Sequence, residues 1–226
     1  MRQVLTVVRK RKHTMKVLEL FSGTGVLSAA FRERGHRTLT VDWEKSHKPD
    51  LNADIGTLTA DDIVRLIGRP DVIWASPDCT TYSVMCISRH RDGVKPKSDY
   101  AARCDAVNAH VCDFIRELKP KVWFIENPVG MMRKMPFIQK LMEDTGGRRH
   151  TVTYCQYGER RQKPTDIFTN HPDPKFRPPC HRGDNCHDAT PRGSKTGTQG
   201  LKGKALRAKL PKELCDHVVR ICESLA

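Results

Sequence analysis

The chain has 226 residues, enough for one domain with a full core, or for one domain and a small appendage. Hydrophobic residues make up 38% and charged residues 29%, a balance that excludes an intrinsically disordered chain, and no apolar run approaches a membrane span. Forty Lys and Arg against 26 Asp and Glu leave a net charge of +14, which points to a polyanionic partner, nucleic acid first.

The nine cysteines are odd in number and scattered, unlike a secreted disulfide framework, and the N-terminus, with its basic cluster Arg9–Lys12, has neither the apolar core nor the cleavage site of a leader. The expected setting is a reducing cytoplasm, with no membrane partner and a monomeric chain.

In chain order, Lys16–Phe21 reads as a strand, Ser22–Gly25 as a glycine turn and Val26–Arg34 as a helix. Thr38–Asp42 is a second strand, Ala60–Ile67 a helix and Asp71–Ala75 a strand that runs into Ser76-Pro77-Asp78-Cys79. Tyr100–Leu118 has helical spacing and stops before Lys119-Pro120, and Val122–Ile125 is a strand leading to Glu126-Asn127-Pro128. His150–Cys155 and Thr165–Thr169 follow as strands, and Pro211–Leu225 is a closing helix with proline at its first position. Strands alternating with helices predict an α/β fold, a Rossmann-like doubly wound and mostly parallel sheet. The expected divisions are a basic extension over 1–15, a main unit over 16–170, a loop-rich lobe over 171–210 dense in Pro, Gly, Cys and His, and a helix over 211–226 packing back on the main unit.

Ligands of such sheets bind outside the carboxyl ends of the strands, so the strand ends nominate the site. The first offers glycines that let a ligand approach backbone, and the second offers Asp42, about twenty residues on, suited to ribose hydroxyls. Neither GxGxxG nor GxxxxGK[ST] is present, which argues against NAD and ATP. Two further ends bring a thiol, Cys79, and a carboxyl, Glu126, to neighbouring loops. A thiolate with a general acid is a known means of attacking an electron-poor centre.

LELFSGTGVLSAAF, then SPDC, then ENP, in this order and spacing, resembles the cytosine carbon-5 DNA methyltransferases, specifically their small phage and bacterial members. The resemblance runs from Val17 to Asn170; beyond it, TGTQG and the helix after Leu210-Pro211 match loosely. It implies S-adenosyl-L-methionine as cofactor, double-stranded DNA as partner, and a target base flipped out of the stack. On this likeness Cys79 is the nucleophile at ring carbon 6, and Glu126 acts at ring nitrogen 3. Phe21, Ser22, Gly23, Thr24, Gly25 and Pro77 line the cofactor pocket, Asp42 sits at the ribose, Trp43 packs on the adenine, and Asp54 with Ile55 meets the adenine edge.

The departures are as specific as the matches. Asp78 replaces the usual second proline and should raise the Cys79 pKa. ENP stands for ENV, and the segment Gln162–Asp166, which aligns with the family's QxRxR, lacks both arginines. Arg160, Arg161 and Gln162 are the expected substitutes at DNA, and Arg89, Arg91, Lys95 and Lys97, in the loop after Cys79, the expected phosphate contacts. The space between Asn170 and Pro211 is small for a recognition domain, which predicts a short or relaxed target sequence. Cys180-His181 and Cys186-His187 offer zinc-type donors at a non-standard spacing. The expectation is therefore no metal, with Cys180, Cys186 and His187 the donors if one binds. Two other readings stay open: an RNA cytosine methyltransferase, and a nucleic-acid-binding protein that keeps the fold but has lost turnover. An amino-group methyltransferase fits less well, because SPDC lacks the aromatic residue that follows the two prolines in the (D/S/N)PP(Y/F) motif.

Overall fold

The structure, a computed structural model, describes residues 14–84, 86–181, 183–188, 201 and 203–225. Most of the expected basic extension and the TGTQG stretch lie outside these residues.

The strands are β1 (Lys16–Leu20), β2 (Arg37–Asp42), β3 (Leu51–Asn52), β4 (Val72–Ala75), β5 (Arg91–Asp92), β6 (Lys95–Pro96), β7 (Val122–Pro128), β8 (Arg148–Thr153) and β9 (Pro164–Thr169). The helices are α1 (Val26–Glu33), α2 (Ala60–Ile67), α3 (Ile87–His90), α4 (Asp99–Leu118), α5 (Pro136–Thr145), α6 (Lys204–Ala208) and α7 (Lys212–Glu223). Seven strands form one sheet in the order β3-β2-β1-β4-β7-β9-β8, and β5 pairs only with β6 in a small hairpin. Every pairing from β3 to β7 is parallel, as the alternation of strand and helix predicts. β9 runs antiparallel to both β7 and β8, because the link from β8 to β9 is too short for the crossover a parallel pair needs.

Period-two alternation sorts each central strand between two cores. Val17 of β1, Val72 and Trp74 of β4, and Val122 and Phe124 of β7 face one side, where they meet Leu27 and Phe31 of α1 and Leu214 and Val218 of α7. Leu18 and Leu20, Ile73, and Trp123 and Ile125 face the other, against Ile63 of α2, Val111 and Ile115 of α4 and Ile138 of α5. The helices carry their own boundary signals. Thr59 and Asp62 form a capping box on α2, the Ser98 side chain accepts the Ala101 N–H at the start of α4, and Pro136 opens α5, which the apolar spacing alone does not reveal.

The sheet differs from the sequence reading where it matters for the site. β7 continues past Ile125 to Pro128, because Glu126, Asn127 and Pro128 go on pairing with Ile167, Asp166 and Thr165 of β9. Glu126 therefore sits inside a strand and is buried. β8 ends at Thr153, and Tyr154–Tyr157 make a 3₁₀ turn.

Candidate active site

Strand order reverses between β1 and β4, and the carboxyl ends of these two strands open the crevice where such sheets bind ligands. After β1 the chain turns through three residues of positive φ: Phe21 (55°), Gly23 (48°) and Gly25 (65°). The first is a genuine departure for a side chain of that size. A Cβ on Gly25 would meet nothing within 4 Å, so the turn borders open space. Asp42 anchors it: one carboxylate oxygen accepts the Gly23 N–H at 2.9 Å and the other the Glu44 N–H at 2.8 Å. Trp43, next to it, is 67% exposed, a large apolar face left at the strand end. Asp54 accepts the Gly56 N–H and pairs with Arg103 at 2.7 Å, while Ile55 is buried beneath it.

After β4, Pro77 is buried and Asp78 does the turning that a second proline would otherwise do. Its Oδ1 accepts the Thr80 N–H at 2.7 Å, an aspartate turn, and its Oδ2 accepts the Tyr100 O–H at 2.8 Å. Cys79 follows, half-buried, with its carbonyl accepting the N–H groups of Tyr82 and Ser83. This loop is stitched to the one after β7. Asn127 donates to the Pro77 carbonyl at 3.1 Å, Met131 N–H to the Tyr82 carbonyl at 2.7 Å, and Ser83 bridges to Gly130. Gly130 is required there, since any Cβ would run into the Tyr82 carbonyl oxygen.

Glu126 accepts the Tyr154 O–H at 3.1 Å, and burial holds that phenol well above its ordinary pKa, so it keeps its proton and donates. Lys163 completes the group: its Nζ lies 3.4 Å from the Tyr154 oxygen and 4.5 Å from that ring's centroid. Burial raises the Cys79 thiol above its usual value; Glu126 and Asp78 push it the same way, and Lys163 pulls it down. Burial likewise lowers the Lys163 ammonium, against the pull of Glu126 and Cys79. A thiol, a carboxyl group, a phenol and a cation from four segments thus share one electrostatic environment.

A family profile described as C-5 cytosine-specific DNA methylase matches residues 15–144. The chain belongs to this family. The chain is 32% identical over 164 residues to a protein of Frog virus 3 (isolate Goorha) that carries the inferred name DNA (cytosine-5)-methyltransferase, covering 69% of this chain and 71% of that one. Among solved structures, a methyltransferase of Entamoeba histolytica matches with a TM-score of 0.54 and 18% identity, over 70% of this chain and 52% of its own. A candidate DNA modification methyltransferase encoded within an E. coli prophage matches with a TM-score of 0.53 and 19% identity, over 69% of this chain and 46% of its own. The chain thus spans about half the length of these structures, and their likeness speaks for the fold.

Several basic residues do not stand where the sequence reading puts them. Arg91 is 3% exposed; its guanidinium pairs with Asp105, donates to the Thr81 carbonyl at 2.7 Å and lies over the Tyr82 ring. It supports the Cys79 loop from within and cannot reach phosphate. Arg161 is 4% exposed, paired with Glu159 and donating to the carbonyls of Leu206, Arg207 and Lys209, where it satisfies the end of α6. Gln162 turns towards the Cys180 sulfur at 3.2 Å. Arg160 is exposed but pairs with Asp188, whereas Arg89, Lys95 and Lys97 remain on the surface. Asp166, where the family pattern has its second arginine, is buried and takes a bidentate pair from Arg133. Lys163 occupies a position that the QxRxR pattern leaves open, so no motif could single it out.

Proposed function

We propose that this methylase transfers a methyl group to carbon 5 of cytosine in double-stranded DNA through a covalent Cys79 adduct. The observation that carries this reading is the meeting of Cys79 in the loop after β4, Glu126 within β7 and Lys163 in the turn into β9, in a chain of this family. The open turn at Gly23–Gly25, the exposed Trp43 and the acidic Asp42 and Asp54 fit S-adenosyl-L-methionine, with Phe21, Ser22, Thr24, Ile55 and Pro77 around it. When bound, that cofactor supplies an electrophilic methyl.

Carbon 5 of cytosine is too weak a nucleophile to accept a methyl unaided. Lys163 favours the Cys79 thiolate, whose sulfur bonds to ring carbon 6 while Glu126 gives its proton to ring nitrogen 3. The ring then behaves as an enamine, whose carbon 5 could take the methyl of the bound cofactor, the sulfonium leaving as a neutral thioether. Loss of the carbon-5 proton to water, cleavage of the carbon–sulfur bond and return of the nitrogen-3 proton to Glu126 restore the aromatic base and the free thiolate. The Tyr154 O–H, held on Glu126, orients the carboxyl through both steps. The base must leave the helix stack to reach these groups.

The test uses labelled S-adenosyl-L-methionine with double-stranded DNA and, in parallel, RNA, followed by identification of the modified nucleoside. The expected product is 5-methylcytosine in DNA. DNA with 5-fluorocytosine at the target should trap a denaturation-resistant complex, because fluorine cannot leave as a proton does, and Cys79→Ser should form neither product nor complex while still binding cofactor. Modification of RNA in preference to DNA moves the reading to the RNA class. Cofactor and DNA binding without product under any condition favours a binding protein that has lost turnover.

A further inference from the structure

We infer that Cys155, Cys180, Cys186 and His187 form a four-coordinate structural metal site whose occupant is zinc. The spacing of the last three donors argues against a metal, but the fold supplies a fourth from outside the cluster: Cys155, in the turn after β8, lies 25 residues before Cys180 and 31 before Cys186. The four donor atoms all lie within 4.8 Å of one another.

The edges of this group have the size of a metal tetrahedron. Sulfur–sulfur distances are 3.2 Å for Cys155–Cys180 and 3.6 Å for Cys155–Cys186, and His187 Nδ1 lies 3.7 Å from Cys180 and 3.5 Å from Cys186. Zinc bonds of about 2.3 Å to sulfur and about 2.0 Å to nitrogen give sulfur–sulfur edges of about 3.8 Å and sulfur–nitrogen edges of about 3.5 Å. A disulfide needs sulfurs about 2.05 Å apart, and all nine cysteines are free. Three thiolates and an imidazole are a zinc donor set, and four protein ligands leave no position for substrate, which makes the site structural.

The surroundings fit a bound thiolate centre. Three thiolates on a divalent ion leave one negative charge, and two side-chain amides answer it: Gln162 Nε2 at 3.2 Å from Cys180 and Gln156 Nε2 at 3.5 Å from Cys186. The Cys180 N–H is fixed on Thr153 Oγ1 at 3.0 Å. Such outer partners orient ligands and tune affinity. On binding, each thiol gives up its proton to solvent, and His187 coordinates through an unprotonated Nδ1.

The site would add to the contacts that hold this part of the chain, among them Phe176 on the core, Arg177 on Gln156 and Asp188 on Arg160. Residues 171–181 and 183–188 hold no helix or strand. The ion would pin them to the turn after β8 and the approach to β9. Cys155 adjoins Tyr154, which donates to Glu126, and Gln162 adjoins Lys163, so the same ion would brace two side chains at Cys79 without touching substrate.

Metal analysis of the full-length protein, purified under reducing conditions without chelator, should find about one zinc per chain. Replacing it with cobalt should give the intense visible absorption of a tetrahedral ion with thiolate charge-transfer bands. Cys186→Ser and His187→Ala should each weaken cobalt binding by at least tenfold, Gln162→Ala should weaken it by about tenfold, and Cys86→Ser should leave it unchanged. The titration of the unaltered chain decides the matter even if a variant misfolds. A metal-free protein that takes up no cobalt, an octahedral spectrum without thiolate bands, or a Cys155–Cys180 disulfide found by mass spectrometry in place of metal overturns the site.

Discussion

Lys163 holds a left-handed backbone angle, φ 27°, uncommon for a residue with a side chain. The bend aims its ammonium inward, towards Tyr154, with the Arg207 carbonyl accepting a second hydrogen bond at 3.2 Å. Among the charges acting on Cys79 it is the one that lowers the thiol's pKa, against burial, Glu126 and Asp78. Lys163→Met should therefore raise the thiol further, and methyl transfer near neutral pH should fall by about tenfold or more, recovering in part as the pH rises. Alkylation of Cys79 by iodoacetamide across pH checks the cause. The variant's profile must move to higher pH, and an unmoved profile means that Lys163 does not activate the thiol. Cys79 and Glu126 were legible in the sequence because their motifs compress the chemistry into a few neighbouring residues. Lys163 was not, because its partners come from β4, β7 and β8, and an isolated lysine looks the same facing solvent or a thiol. The same blindness misplaced Arg91 and Arg161, whose carboxylate partners, Asp105 and Glu159, no motif names.

β1 and α1 meet at a buried acid. Glu19 lies within β1, 2% exposed, and accepts the Ser28 N–H at 3.0 Å in the first turn of α1, where helix N–H groups favour negative charge. Burial nonetheless dominates and pushes its carboxyl from 4.5 up to about 7. An acid whose folded pKa lies above its unfolded value holds its proton in the native state after the unfolded chain has lost it. Stability is then full below about pH 4.5 and falls as pH rises towards about 7, by about 3 kcal/mol on this group alone. Glu19→Gln keeps an acceptor for Ser28 but cannot ionise. Urea unfolding across that range should show a flatter pH dependence and a more stable variant at pH 8; parallel curves would mean that Glu19 does not titrate in this window. The strands and helices beside the motifs were legible because apolar runs of period two and faces of period 3.6 follow directly from what they bury. α5 was missed although Pro136 and Gly146 mark its ends, since Ile138 and Leu141 are its only buried residues. The reach of β7 to Pro128 was illegible locally, because only pairing with β9 produces it.

At the scale of the whole molecule, a net charge of +14 meets a region between β9 and α7 whose described residues hold one short helix, α6, and no strand. No described helix is long and apolar enough to cross a membrane, and DNA remains the proposed partner for so basic a chain. With few elements among the described residues of that region to read base edges, contacts to phosphate should supply most of the affinity. Once Arg91 and Arg161 are seen to be buried partners of their own fold, the surface cations of the loop after Cys79 are Arg89, Lys95 and Lys97, on α3, β6 and the turn beyond it. Binding should weaken with salt by about 0.9 logarithmic units per logarithmic unit of salt for each phosphate neutralised. Reversing these three side chains to Glu should lower affinity for every DNA sequence alike and flatten that slope by about 0.9 for each phosphate no longer neutralised. Arg91 has no place in this variant, because losing it would uncouple Thr81 and Asp105 beneath the Cys79 loop and confound binding with folding. The decisive readout pairs the salt titration with sequencing of the methylated cytosines. A reduced slope with an unchanged set of targets marks side chains that position DNA without reading it. A changed set would show that this loop reads bases, and the case for a short target read mainly outside it would fail.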